Sequence, residues 1–189
     1  IFPHAAELHV GLAYARLARD EVAWALRSFN EALALEPNNE DGLAGLGEVL
    51  LKVGQRTRAF RCFDVIIALG FREDQDLMLQ VGRALFRDGA FDRARDFFEL
   101  VLVAHPDSGE AAACLGYAAH RLADDEGSIR WLSRALELEP DLARARWELI
   151  RTYQACARPD EVRAQLRELP ERSVFSPSRP RLRPIITGV

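Results

Sequence analysis

Apolar residues recur along this chain with the spacing of one helical face, in segments separated by short polar turns. Leu77, Val81 and Leu85, for example, fall on one side of a helix that ends at the polar turn 87–89. The pattern predicts helices in pairs. We expect first helices at about 5–19, 40–53, 74–88, 109–122 and 143–156, and second helices at about 22–36, 56–69, 91–104, 125–138 and 159–169.

Two series of landmark residues repeat along these pairs with nearly the same period. On the second helices the series is Ala25, Ala59, Ala94, Ser128 and Val162, spaced 34, 35, 34 and 34. On the first helices it is Gly11, Gly47, Gly82, Gly116 and Ile150, spaced 36, 35, 34 and 34. The longer first interval predicts two extra residues between the first two helices, around 19–21. Small residues at these places predict that the two helices of a pair approach closely.

Further landmarks close each unit. Phe29, Phe63 and Phe98 follow the small residue of the second helix, and prolines at 37, 106 and 140 come after that helix, where a proline cannot continue it. The second unit has Phe71 where the others have proline, and Gly70 before it predicts a helix stop. The last predicted helix is short and polar, as expected of a capping element.

This pattern resembles the tetratricopeptide repeat, whose helix–turn–helix unit has the same period. The resemblance covers about residues 5 to 169. It implies an all-α fold, a right-handed superhelical solenoid of about five stacked antiparallel hairpins. We expect a repeat domain at 1–170, with repeats at about 4–39, 40–73, 74–108, 109–142 and 143–170, and an extended Pro- and Arg-rich tail at 171–189.

The resemblance also implies that set positions of each first helix line a concave groove that binds a peptide. Carried over to this sequence, those positions are Leu8, Leu12, Arg16, Glu48, Leu51, Lys52, Leu79, Arg83, Phe86, Arg87, Tyr117, His120, Arg121, Trp147, Arg151 and Gln154. Because arginine pairs bidentately with carboxylates and aromatic rings supply anchors, this groove predicts a protein or peptide partner with acidic and apolar residues. The alternative is that the arginines only solvate the helix face or pair with Glu48 and Glu148.

Charge and composition exclude several other functions. The net charge is −4, but Arg172, Arg179, Arg181 and Arg183 against Glu171 make the tail +3, which leaves −7 for residues 1–170. An acidic body argues against nucleic acid as a partner. The three cysteines and four histidines show no metal-ligand or catalytic spacing, and the glycines of 42–47 lie inside a helical pattern rather than in a phosphate loop. We therefore expect no enzyme activity, cofactor or metal. No run of 18 apolar residues predicts a membrane span.

The sequence thus predicts a protein-binding scaffold or assembly factor within a larger complex, with a C-terminal arm that docks through Phe175, Arg181, Arg183, Ile185 and Ile186. Two alternatives stay open: a secretion-type chaperone, and the regulatory repeat region of a longer enzyme. The clamp for chaperone tails known in this family needs Lys and Asn where this chain has Leu8 and Leu12, which argues against that role. The scarcity of lysine beside arginine favours a bacterial origin, and we expect a cytoplasmic protein. Because the chain starts at Ile1, a periplasmic or membrane-associated location also stays open.

Overall fold

The computed structural model describes residues 4–169, and within them ten α-helices form five consecutive antiparallel hairpins. The helices are α1 (Ala5–Ala18), α2 (Val22–Leu35), α3 (Glu40–Lys52), α4 (Arg56–Ala68), α5 (Gln75–Asp88), α6 (Phe91–Ala104), α7 (Gly109–Arg121), α8 (Asp125–Leu138), α9 (Ala143–Ala155) and α10 (Pro159–Arg167). Every predicted helix is confirmed, and each bound lies within two residues of its predicted place. The all-α solenoid is therefore confirmed.

Side-chain caps and one glycine set several helix ends. Asn39, Asp74 and Ser108 begin the first helices of the middle three repeats, and each side chain accepts a hydrogen bond from a backbone N–H of the first turn. The predicted stop at Gly70 is confirmed: α4 ends at Ala68, and Gly70 adopts a left-handed conformation with φ of +93°. A short 3-10 turn at Phe71–Glu73 then leads into α5.

The turn between the two helices of a hairpin is the same in all five repeats. One residue of each turn has positive φ, namely Asp20 (60°), Gly54 (77°), Gly89 (85°), Ala123 (60°) and Ala157 (55°). These residues are spaced 34, 35, 34 and 34 along the sequence. The first turn therefore contains no extra residues, and the predicted insertion around 19–21 is wrong.

The register of the first repeat changes accordingly. A methyl group at Gly47 would lie 2.2 Å from the Phe63 ring, and one at Gly82 would lie 2.4 Å from the Phe98 ring, so the predicted close approach is confirmed there. At Gly11 nothing lies within 4 Å, and the prediction is wrong. The residue that takes this place in α1 is Ala13, which is fully buried and stands one repeat period before Gly47.

The core runs between the hairpins as a continuous layer of apolar side chains. One cluster of buried residues extends from α1 to α7, and a second joins α7, α8 and α9. Successive first helices contact one another along the stack, whereas within residues 4–169 successive second helices make at most marginal contacts. The stack therefore curves with its first helices on the inner side. This inner surface is the concave face of the solenoid.

Candidate partner-binding groove

The concave face carries two pockets, one beside the first three repeats and one between the third and fourth. The N-terminal pocket has a volume of about 570 Å³ and the central pocket about 540 Å³. Most lining residues come from first helices. The N-terminal pocket is lined by Tyr14, Leu17, Ala18, Glu48, Leu51, Lys52, Ala84, Arg87 and Asp88.

The first repeat contributes different residues to the groove from those predicted. Tyr14 and Leu17 line the N-terminal pocket, whereas Leu8 and Leu12 do not. Arg16, predicted to face the groove, instead reaches α2, where its guanidinium donates to Ser28 Oγ at 2.6 Å and lies 5.4 Å from the Trp24 ring centre. This part of the prediction is wrong because the landmark Gly11 was placed two residues out of register with Ala13.

Tyr14 connects the first repeat with the second and third. Its hydroxyl donates to the carbonyl of Asp41 at 3.2 Å and accepts from Gln80 Nε2 at 2.8 Å, while its ring meets Phe29 edge to face at 5.1 Å. Burial raises the pKa of Tyr14 to about 12, so the hydroxyl stays protonated and able to donate at neutral pH. This side chain holds the floor of the N-terminal pocket in place.

The basic residues around the N-terminal pocket already have acidic partners. Lys52 pairs with Asp20 of the preceding repeat, and Arg87 donates to Glu48 Oε1 at 2.6 Å across adjacent repeats. At this pocket the predicted alternative, arginine paired with Glu48, is what the structure shows. A carboxylate entering here would have to displace a partner that each cation already holds.

The central pocket is lined by aromatic rings with arginines stacked on them. Arg121 lies 4.4 Å from the centre of the Phe91 ring and 6.0 Å from that of Phe86, and the two rings meet edge to face at 5.1 Å. Arg144, from α9, lies 4.9 Å from the centre of the Tyr117 ring. Cations over aromatic faces at such distances are attracted by the ring quadrupole. The rings therefore hold both guanidinium groups over the pocket.

These two arginines differ from the other groove cations in having no acidic partner among residues 4–169. Arg83, at the edge of the same pocket, is ion-paired with Glu110. Neither Arg121 nor Arg144 forms an ion pair within the described chain, and both side chains line the pocket. The central pocket is thus the part of the groove where the described chain leaves positive charge uncompensated.

Burial shifts the pKa of two uncharged side chains of the central pocket, Tyr117 and Cys114. It raises the pKa of Tyr117 to about 12, so the phenol remains a neutral donor at physiological pH. It also raises the pKa of the Cys114 thiol, which disfavours the reactive thiolate. The pocket therefore offers hydrogen bonding, stacking and charge, without an activated nucleophile from these two groups.

The fifth repeat continues the groove with a weaker charge. Arg151 is paired with Glu148 at 3.4 Å, as the alternative prediction had it, and His120 lies 3.5 Å from the same carboxylate. Trp147 on α9 is partly exposed. The predicted arm residues Phe175, Arg181, Arg183, Ile185 and Ile186 lie outside the described residues.

Sequence reasoning missed several residues that line the two pockets. Arg144, Leu142 and Phe91 line the central pocket although they are not at the expected inward positions of first helices. Tyr14 was missed through the register of the first repeat. The signal that finds it is the 12-residue interval from Ala13 to Ala25, which recurs from Gly47 to Ala59 and from Gly82 to Ala94.

Comparison with known proteins supports the same architecture. No family model matches the chain. A CTR9 homologue from Arabidopsis thaliana is 27% identical over 145 residues, which is 75% of this chain but 13% of that protein. PilF of Pseudomonas aeruginosa superposes with a TM-score of 0.71 at 15% identity, over 87% of this chain and 75% of the other. YrrB, described as a tetratricopeptide repeat protein with an unusual peptide-binding site, superposes with a TM-score of 0.62 at 18% identity, over 85% and 82%.

The fold is that of the tetratricopeptide repeat proteins. Across residues 4–169, none of the helices combines the length and apolarity needed to cross a membrane. The same stretch contains no group of three or more His, Cys, Asp or Glu side chains arranged to hold a metal ion.

Proposed function

We propose that this chain is a non-enzymatic scaffold or assembly factor that binds a partner protein along its concave groove. In this proposal the central pocket takes an acidic side chain of the partner beside an apolar or aromatic anchor. The observation that carries the proposal is the pair Arg121 and Arg144, which are stacked on Phe91 and Tyr117 and have no acidic partner in residues 4–169.

The stacked geometry favours a carboxylate ligand. A guanidinium group held over a ring has lost much of its rotational freedom before binding, so less entropy is lost when a carboxylate arrives. Arginine forms two parallel hydrogen bonds to a carboxylate, which adds orientation to charge attraction. The aromatic rings that line the same pocket supply the surface on which an apolar anchor packs.

The N-terminal pocket is the weaker candidate for such a ligand. Its cations Lys52 and Arg87 are already paired with acids of neighbouring repeats. YrrB has this fold and is described as having a peptide-binding site, which supports peptide binding as a use of this architecture. The membership of this chain in a larger complex remains part of the proposal.

The proposal is tested by selecting peptides from a random displayed library on the purified chain and titrating the selected peptides by fluorescence anisotropy. We expect them to carry Asp or Glu close to an aromatic or leucine residue. The double variant Arg121→Glu/Arg144→Glu should weaken binding at least about tenfold, since losing one side of a desolvated charge pair costs about 2–5 kcal/mol.

Arg130 on α8 provides a matched control. It too is stacked on an aromatic ring, 5.3 Å from the centre of Trp131, but lies on a second helix away from the central pocket. Arg130→Glu should leave the affinity unchanged, and circular dichroism should show both variants folded. Selected peptides that lack acids, or that bind the double variant as tightly as the parent, would refute the central pocket as the site.

We also propose that residues 171–189 act as a docking arm that binds the partner in addition to the groove. The support comes from the sequence alone: four arginines give this segment a charge of +3 against −7 for the rest, and Phe175, Ile185 and Ile186 supply apolar contacts. A segment of this composition cannot bury enough apolar surface to form a core of its own.

A further inference from the structure

The outer face of α1 is apolar and exposed, although α1 begins the stack. Leu8 is 72% exposed and Leu12 44% exposed, and Gly11 and Ala15 lie on the same exposed face. The terminal helix of a soluble solenoid ordinarily presents a polar outer face. At the other end of the described stack α10 is mostly charged and polar, with Leu166 as its one large exposed apolar side chain. The two ends are therefore built differently.

The exposed positions of α1 correspond to those through which α3 packs against the hairpin before it. One repeat period further along the chain, Leu8, Gly11, Leu12 and Ala15 correspond to Gly42, Gly45, Leu46 and Val49 of α3. All four of these α3 residues are buried. They are covered by α2: a methyl group at Gly45 would lie 2.2 Å from the Phe29 ring, and one at Gly42 would lie 3.0 Å from Leu33.

Gly11 supplies an independent reason to see a stacking surface here. Glycine destabilises the middle of a helix relative to alanine, so a helical glycine usually marks a close approach. In α3 the close approach at Gly45 is the Phe29 ring, whereas at Gly11 the described structure has nothing within 4 Å. The glycine is present at the stacking position, but the ring that such a glycine accommodates is not among residues 4–169.

The sequence before α1 continues the same register. Pro3 stands one repeat period before Pro37, and Pro37, Pro106 and Pro140 each lie between the second helix of one repeat and the first helix of the next. In three repeats of this chain, a proline therefore follows the second helix. Pro3 has the corresponding sequence position before α1. Residue pattern and exposed face thus point to the same neighbour.

We infer that α1 is an internal helix of a longer solenoid, and that its outer face packs against the second helix of a further tetratricopeptide repeat that precedes it in the same polypeptide. The packing helix is amphipathic and places an aromatic side chain over Gly11, as Phe29 lies over Gly45. Because Leu8 stands where α3 has a glycine, that helix carries a small residue opposite Leu8.

The test supplies such a helix to the otherwise complete chain. A second copy of residues 20–39 replaces residues 1–5 and is joined to Ala6, which keeps the spacing between α2 and α3; Leu33 of the copy is changed to Ala to make room for Leu8. We expect the melting temperature to rise by several degrees and the amides of α1 to exchange more slowly. Changing Phe29 of the copy to Ala should remove most of that rise.

Two further variants test whether the added helix packs on the outer face of α1. Leu8→Glu/Leu12→Glu should leave the unextended chain folded, because both side chains are exposed, but should abolish the gain from the extension. Val103→Glu is the matched control, since Val103 is 80% exposed on α6 and should leave the gain intact. An extension that does not raise the melting temperature, or that raises it equally in the Leu8/Leu12 variant, would overturn the inference. So would sedimentation showing that the unextended chain dimerises through Leu8 and Leu12, because the occupant would then be a second copy.

Discussion

At the scale of single residues, glycine on the first helices has two different roles. Gly47 and Gly82 admit an aromatic ring from the second helix of their own hairpin, and the ring fills the space of the missing side chain. Gly11 has no such neighbour within the described chain. Residues of the same type and apparent register therefore make opposite contributions to stability.

This contrast predicts opposite effects of one substitution. Gly82→Ala should lower the free energy of unfolding by about 1–3 kcal/mol, because the new methyl group collides with the buried Phe98 ring. Gly11→Ala should instead raise it by about 0.5–1 kcal/mol, since alanine favours the helix and meets open space. Urea unfolding followed by circular dichroism measures both. Equal effects of the two changes would contradict the corrected register of α1.

Some of these residue contacts could be predicted from the sequence and others could not. The 12-residue interval between the two small landmarks places Gly47, Gly82 and Gly116 correctly, because burial depends on periodicity that the sequence carries. The sequence left the pairing of an arginine with Glu48 open as an alternative and did not predict the pairing of Arg83 with Glu110, because both depend on side-chain rotamers and on the curvature of the stack. Arg144 was missed for the same reason: its stacking on Tyr117 joins neighbouring repeats.

At the scale of elements, the tight turn inside each hairpin is the most regular feature of the chain. Glycine takes its left-handed position in the second and third repeats, but Asp20, Ala123 and Ala157 take it in the others. A left-handed conformation costs roughly 1–2 kcal/mol for a residue with a side chain, and little for glycine. The polarity of the turns predicted where they lie. The left-handed position could not be predicted in three of the five turns, because those turns have no glycine there.

The strained turns predict a stabilising change. Ala123→Gly should raise the free energy of unfolding by about 0.5–1 kcal/mol, because relief of the strain exceeds the extra entropy that glycine loses on folding. Gly54→Ala should lower it by a similar amount; the site has no neighbour within 4 Å, so the backbone alone decides. Urea midpoints of the two variants measure both effects. A loss of stability in Ala123→Gly would show that the turn tolerates alanine without strain.

At the scale of the whole molecule, each hairpin rests on its neighbours and the first helices form the inner layer. The helices could be predicted from sequence to within two residues, since their apolar stripes and stops are local. The two pockets could not, because each arises from the curvature of several repeats. Stacking also makes the ends of the chain distinct from its middle, and the distribution of charge adds to this difference, with +3 on residues 171–189 and −7 on the rest.

This charge distribution distinguishes the proposed docking arm from the main alternative, a tail that folds back on its own chain. A basic segment that folded back on its own acidic body would stabilise the fold through ion pairs, and added salt would weaken that effect. An arm that serves a partner contributes nothing to the isolated chain. We therefore expect a chain ending at Pro170 to melt at the same temperature as the full chain, in both low and high salt.

The same truncation should also weaken binding to the partner. Affinity purification followed by mass spectrometry should recover less of the partner with the shortened chain, because Phe175, Ile185 and the arginines no longer contribute. Replacing the four arginines of the tail with glutamine in the chain of 189 residues separates charge from apolar contact, since it keeps Phe175 and both isoleucines. The opposite result would be a shortened chain that melts several degrees lower at low salt, melts at the same temperature as the parent at high salt, and still recovers its partner fully. The segment would then be an intramolecular strap, and the docking-arm proposal would be wrong.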